Sequence, residues 1–167
     1  RAGIGASRVY QVNKSSDTKL VNAYVTGVGT TKRIVLWDTL LDKLEHRQIL
    51  FVTAHEMGHF VLRHTLAVII AAGLLVTVAL YAVHRTAGGL IARFSGRFGF
   101  SDLNDIASFP LLLLLGNFAS FLLAPAVLGF NRHQEHEADR FALEITRDNH
   151  AAATTFVVLQ QENLAVP

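Results

Sequence analysis

His55-Glu56-Met57-Gly58-His59 combines the residue types that a catalytic metal ion needs with the spacing it needs. On a helix of 3.6 residues per turn, two histidines four apart lie within about 40° of each other, so both rings can reach one ion. Glu56 points to a neighbouring sector, where its carboxylate can hold a water on the metal and take its proton. A catalytic zinc normally has three protein ligands and one open position. Glu135 and Asp139 are also four apart, within Asn131-Arg132-His133-Gln134-Glu135-His136-Glu137-Ala138-Asp139. The spacing suits Glu135 as third ligand, with Asp139 behind the site accepting the second ring N–H of a ligand histidine. The competing readings are a buried helix with unrelated histidines and, downstream, a solvated charged helix.

Together these two segments resemble the membrane zinc peptidases that include HtpX and the type I CAAX prenyl endopeptidases. That family pairs HExxH with a later Ser-Arg-x-x-Glu-x-x-Ala-Asp segment; here Asn131 stands where serine is usual, which leaves the ligand assignment intact. Upstream, Asn22-Ala23-Tyr24-Val25-Thr26-Gly27 and Arg33-Ile34-Val35-Leu36-Trp37-Asp38-Thr39-Leu40-Leu41 are similar to the family's strand pair before the active-site helix. The layout is closer to the CAAX-type branch than to HtpX. The resemblance implies an α+β, mainly α, zincin-like core with a small β-sheet and one Zn²⁺ per chain on His55, His59 and Glu135. It also places Asn22, Ala23 and Tyr24 on a sheet edge to which a peptide substrate could add as a strand. A half-buried strand without substrate contact is the alternative. Arg132 and His133 are candidates to steady a developing oxyanion.

The elements that must position these groups are oily. Of 167 residues, 51% are hydrophobic, only 17% are charged, and there is no cysteine, which excludes disulfides and thiolate metal sites. The apolar excess sits in two uncharged runs, residues 66–83 and 109–130. As helices they would measure roughly 27 and 33 Å, about the thickness of a bilayer's hydrocarbon core. Pro110 is tolerated in a first turn, while Pro125 should kink its helix. Asn117 and Ser120 either face protein or water, or satisfy local carbonyls. Two core helices of a soluble protease compete with the membrane reading. If both runs span, Glu135 returns to the side of His55 and His59. That side has Arg47, Arg63, Arg132, Arg140 and Arg147, against Arg85, Arg93 and Arg97 between the runs, which favours a cytoplasmic active site.

Residues 8–37 read as β structure, with strands at Val9–Val12, Val21–Val28 and Arg33–Trp37 and a hairpin loop at 29–32. Residues 27–32 lack phosphate-loop spacing and precede a strand rather than a helix, and no nucleic-acid partner is expected. Asp38 is expected to cap a helix reaching Leu44. The active-site helix should run from about Glu45 to His64, continuing or not into the first apolar run, and residues 84–108 should form a loop or lid. The ligand helix should begin near the end of the second run and reach about Arg147, with a last helix after Asn149-His150. His64 lies about 140° round a continuous helix from His59 and could share its metal only across a break. It reads as a structural or interface residue, and His136 and Glu137 as solvated.

The chain starts at Arg1 and reads as one metallopeptidase domain, 1–167, from a longer polypeptide. The expected protein is a multi-pass membrane zinc endopeptidase acting on peptide or protein substrates, with the lipid bilayer as its other partner. A catalytically silent zinc-holding scaffold is the alternative, although a structural zinc site has no use for a base such as Glu56.

Overall fold

The computed structural model describes residues 9–27, 31 and 33–164, with the side chain of Leu164 left out. The chain divides into two compact units, one from the residues up to Thr65 together with those from His133 onward, the other Leu66–Arg132.

The first unit opens with three short strands, β1 (Val9–Val12), β2 (Ala23–Thr26) and β3 (Arg33–Trp37), in the order β1-β3-β2. β1 pairs parallel with β3 and β2 antiparallel with it. As the central strand, β3 buries the consecutive residues Ile34, Val35 and Leu36, the pattern of a strand covered on both faces. The expected strand at 21–28 is shorter, and the hairpin loop expected at 29–32 lies outside the described residues except at Thr31. Gly27 takes φ +95°, a left-handed conformation suited to glycine where β2 ends.

Helix α1 (Asp38–Lys43) follows directly, but its N-cap is Trp37 and Asp38 is its first residue. From that first position the Asp38 carboxylate accepts the Thr39 backbone N–H of α1 at 3.0 Å, and it also accepts from the Lys14 and Ser15 backbone N–H groups and the Ser15 hydroxyl at 2.6–3.1 Å, tying the β1–β2 turn to α1. α2 (His46–Val61) starts with a reciprocal cap in which Glu45 and Gln48 satisfy each other's backbone N–H groups. One core joins Val21, Ala23, Ile34, Leu36, Leu40, Leu44 and Val52. A second sets Phe51 and Ala54 against Ala142 and Ala152. Phe51 also meets Phe156 of α5 (Asn149–Leu164) edge to face at 5.7 Å, a geometry that stabilises by about 0.5–1.5 kcal/mol beyond area burial.

α2 does not run on into the apolar segment. It stops at Val61, Arg63 takes φ +58°, and α3 (His64–Phe98) begins anew. The expected loop over 84–108 is corrected accordingly: helix continues to Phe98, and the connection is 99–108, ending in a 3₁₀ turn at Ile106–Ser108. Charge at Arg85 ends an apolar run without ending a helix, because Arg, Ala, Leu and Ile are all compatible with one. α4 (Phe109–Thr146) is likewise one helix, containing Pro125 and carrying the second apolar run and the Glu135 segment together.

Two helices are long and apolar enough to cross a membrane, and no residue of either apolar window is buried. Leu74, Leu80, Leu114 and Phe121 are 65–74% exposed, so among the described residues nothing covers these apolar faces. Asn117 and Ser120 donate to the carbonyls of Leu113 and Gly116, so the polar interruptions satisfy local backbone.

Candidate metal centre

Within the first unit, α2 supplies His55, Glu56 and His59, and the C-terminal part of α4 supplies Glu135 and Asp139. Close helix approach is what brings them together. A Cβ on Gly58 would lie 3.1 Å from the Ala138 Cα and 3.3 Å from its carbonyl oxygen. Small residues at this one crossing let the two backbones nearly touch.

The donor atoms form a compact triangle. His55 Nε2 lies 3.1 Å from His59 Nε2 and 3.4 Å from Glu135 Oε2, and His59 Nε2 lies 3.6 Å from Glu135 Oε1. Ligands about 2.0–2.1 Å from a tetrahedral metal are separated by about 3.3 Å. The triangle therefore has the dimensions of one face of such a site, and these three residues could hold a metal ion. His55 turns its other nitrogen, Nδ1, to Asp139 Oδ1 at 2.8 Å, the buttress anticipated for a ligand histidine.

Burial and charge set the ionisation here. Burial in the first place raises Glu56 to about 7; Glu135 adds to the rise, while the charge of His55 and the Val25 backbone N–H oppose it. For His55, burial lowers the pKa, but the hydrogen bond to Asp139 and the surrounding carboxylates outweigh it, so the net shift is upward. His59 is lowered, by burial first and then by the charge of His55.

The remaining predicted residues divide. Asn22 lies beside edge strand β2, and its carbonyl accepts from Trp37 N–H on β3. By strand alternation the backbone groups of Tyr24 then face β3, while those of Ala23 and Val25 face the open edge. The Val25 contact with Glu56 fits this, putting the edge alongside the helix that carries His55 and Glu56. Ala23 is buried and Tyr24 is 40% exposed. A cavity of about 200 Å³ borders His55, Glu56 and Ala23, floored by Phe51, Val52 and Leu159. His133 is largely exposed with Nε2 3.6 Å from Glu137 Oε2, outside the donor triangle. Arg132 is exposed and belongs to the second unit.

Sequence reasoning missed the contribution of His64. Its Nδ1 lies 3.0 Å from His59 Nδ1, so the structural residue expected at 64 packs on a candidate ligand, and its Nε2 is 3.4 Å from Glu137 Oε2, so Glu137 is not solvated alone. The available signal was a histidine five residues past the motif, readable only with a helix break between. The cavity's α5 residues, Phe156 and Leu159, carried no signal at all.

Comparison with known proteins agrees with this geometry. A model of peptidase family M48 matches residues 1–165. The uncharacterized metalloprotease YhfN of Bacillus subtilis is 42% identical over 156 residues, covering 93% of this chain and 36% of that protein. A CAAX prenyl protease 1 homolog of Dictyostelium discoideum is 31% identical over 149 residues, covering 87% and 34%. The crystal structure of S. mikatae Ste24p superposes with a TM-score of 0.63 at 24% identity, over 93% of this chain and 38% of that one. The chain thus spans little more than a third of the length of these relatives.

Proposed function

Since this chain belongs to peptidase family M48, we propose that it carries the active centre of a membrane-bound zinc metalloendopeptidase. His55, His59 and Glu135 hold one Zn²⁺, Glu56 is the general base, and Asp139 orients His55. The observation that carries this reading is the donor triangle, sized for a tetrahedral ion, with a buried carboxylate on the same helix as two of its corners. A bound zinc would polarise the scissile carbonyl and make water more acidic.

The chain's own residues do the rest. A substrate segment adds along the β2 edge, where backbone hydrogen bonds align it without reading its sequence. Glu56 takes a proton from water as the oxygen attacks the carbonyl carbon. It then delivers that proton to the amide nitrogen as the C–N bond breaks, leaving an acid and an amine. No covalent acyl-enzyme forms, because the nucleophile is water. Without metal, burial raises the Glu56 carboxyl; a nearby zinc would favour its carboxylate, the form that accepts the proton. Asp139 keeps the His55 proton on Nδ1, leaving Nε2 free to bind.

α3 and α4 cross the bilayer, with the active centre on the cytoplasmic side favoured by the arginine distribution. The substrates are membrane-associated proteins, either prenylated CAAX-type chains, as the name of the Dictyostelium relative suggests, or misfolded membrane proteins. Full-length protein in detergent should cleave such a peptide, lose the activity to a zinc chelator and regain it with zinc. Glu135→Ala should lose most of its zinc by elemental analysis. Parental zinc content in that variant would remove Glu135 from the site.

A further inference from the structure

The two ligand histidines are supported differently. His55 donates to a carboxylate, Asp139, whereas His59 meets a third imidazole. His64 is 5% exposed, its ring edge-on to His59 at 5.0 Å with Nδ1 3.0 Å from His59 Nδ1. Its Nε2 is buried and makes no hydrogen bond among the described residues, the Glu137 carboxylate standing at 3.4 Å, an ion-pair distance.

We propose that His64 is a positioning residue for His59, accepting its Nδ1–H and passing the polarisation on to Glu137. The inference rests on the reading of His59 as a zinc ligand. A ligating Nε2 must carry no proton, so the proton of neutral His59 resides on Nδ1. Between two nitrogens 3.0 Å apart there is room for one proton, so His64 Nδ1 is the acceptor and its own proton sits on Nε2. The Glu137 carboxylate stands 3.4 Å from that nitrogen, near enough to favour positive charge there without a hydrogen bond. The order His59, His64, Glu137 repeats, one imidazole longer, what Asp139 does alone for His55.

The backbone is arranged for this contact. On a continuous helix His64 would point about 140° away from His59. α2 ends instead with Leu62 N–H donating to the Gly58 carbonyl and Arg63 N–H to the Phe60 carbonyl, and Arg63 adopts φ +58°. A left-handed arginine is a disfavoured conformation, of a kind that clusters at functional sites. Gln134 Nε2 lies 3.5 Å from the His64 carbonyl oxygen, linking the restart of α3 to the helix that carries Glu135.

Asparagine and glutamine separate positioning from packing. His64→Asn keeps an acceptor where Nδ1 stands, and His64→Gln moves its polar group out to where Nε2 stands. Zinc affinity of the full-length protein in detergent is measured by competition with a chelator, beside the thermal midpoint of the metal-free form. Glutamine should weaken zinc binding by about 10–100-fold and asparagine by only a few-fold, with similar metal-free midpoints. Equal affinities in the two variants, or parental affinity in His64→Gln, would overturn the positioning role while leaving zinc on His59. A parent that binds no zinc would overturn both readings.

Discussion

α2 and α3 follow each other with a two-residue break, yet they treat apolar side chains in opposite ways. α2 buries Gln48, Phe51, Val52, Ala54 and Gly58 and keeps His55, Glu56 and His59 half-buried. The apolar window of α3 buries nothing. In the first unit, then, function depends on polar groups held within a packed interior, where small changes in distance or charge matter. In the second, the surface itself is apolar, as a segment that a bilayer would solvate must be. Substitutions of one kind should therefore have different consequences in the two units.

The largest difference concerns Glu56. Glu56→Gln keeps the side chain's size but removes the base, and peptide hydrolysis should fall by roughly 10²–10⁴-fold. Zinc content should stay parental, because Glu56 is outside the donor triangle. Single-turnover cleavage alongside elemental analysis checks both. Parental turnover in the variant would mean that water is activated by another group, and a parent that holds zinc but cleaves nothing would favour the scaffold.

Next in size is a charge placed on an exposed leucine of each unit. Leu74 on α3 is 65% exposed and Leu50 on α2 is 50% exposed. Leu74→Arg should oppose membrane insertion by about 2.5–3.5 kcal/mol. Leu50→Arg, on a face turned to water, should change stability by no more than about 0.5 kcal/mol. Retention in membranes after a carbonate wash reads the first effect and the thermal midpoint reads the second. Unchanged retention of Leu74→Arg would argue against α3 as a span.

Two glycines extend the comparison. A Cβ on Gly58 would lie 3.1 Å from the Ala138 Cα, whereas one on Gly88 of α3 would meet nothing within 4 Å. Alanine in either helix gains about 1 kcal/mol of helix propensity. At Gly58 that gain is opposed by overpacking of about 1–3 kcal/mol, and the α4 backbone must move by a few tenths of an ångström. Gly58→Ala should thus lower zinc affinity by pushing Glu135 away, and Gly88→Ala should not. Titration with a zinc-competing chelator distinguishes them.

This contrast also explains what could be read from sequence. The candidate metal triad was legible because i, i+4 spacing on a helix is nearly a statement of geometry. The candidate membrane segments were legible because a charge-free run needs no tertiary context. What escaped depended on context. The break after Val61 has no glycine or proline to announce it, since Arg63 itself takes the left-handed conformation, and a helix continued through it would turn His64 away from His59. Charge at the edge of 84–98 suggests a loop, although charge bounds an apolar run and not a helix. Asp38 serves the start of α1 by accepting the Thr39 N–H from the first helical position, and the same carboxylate also holds Ser15 and the Lys14 backbone, a contact no local pattern announces.

The smallest effect is the pH dependence of the metal-free protein, and it tests whether the first unit holds a carboxyl in a strained electrostatic setting. Glu56 titrates at about 7 when folded, against 4.5 for a free glutamate. Between those values the folded state keeps a proton that the unfolded chain has released. Stability must therefore fall as pH rises through that window, in full below pH 4.5 and lost above 7. His55, also raised, contributes in the same direction, and His59, lowered, in the opposite one, so the parent's profile alone is ambiguous. Glu56→Gln removes the glutamate's own titration and the upward push that Glu56 gives His55, two changes that act in the same direction. With chelator present, the variant's thermal midpoint should exceed the parent's by more at pH 8 than at pH 5. Zinc should shrink that gap, because a nearby divalent cation favours the carboxylate. A difference between variant and parent that is the same at both pH values would mean that Glu56 is an ordinary solvated acid, and the contrast between a packed polar interior and an apolar surface would lose its strongest example.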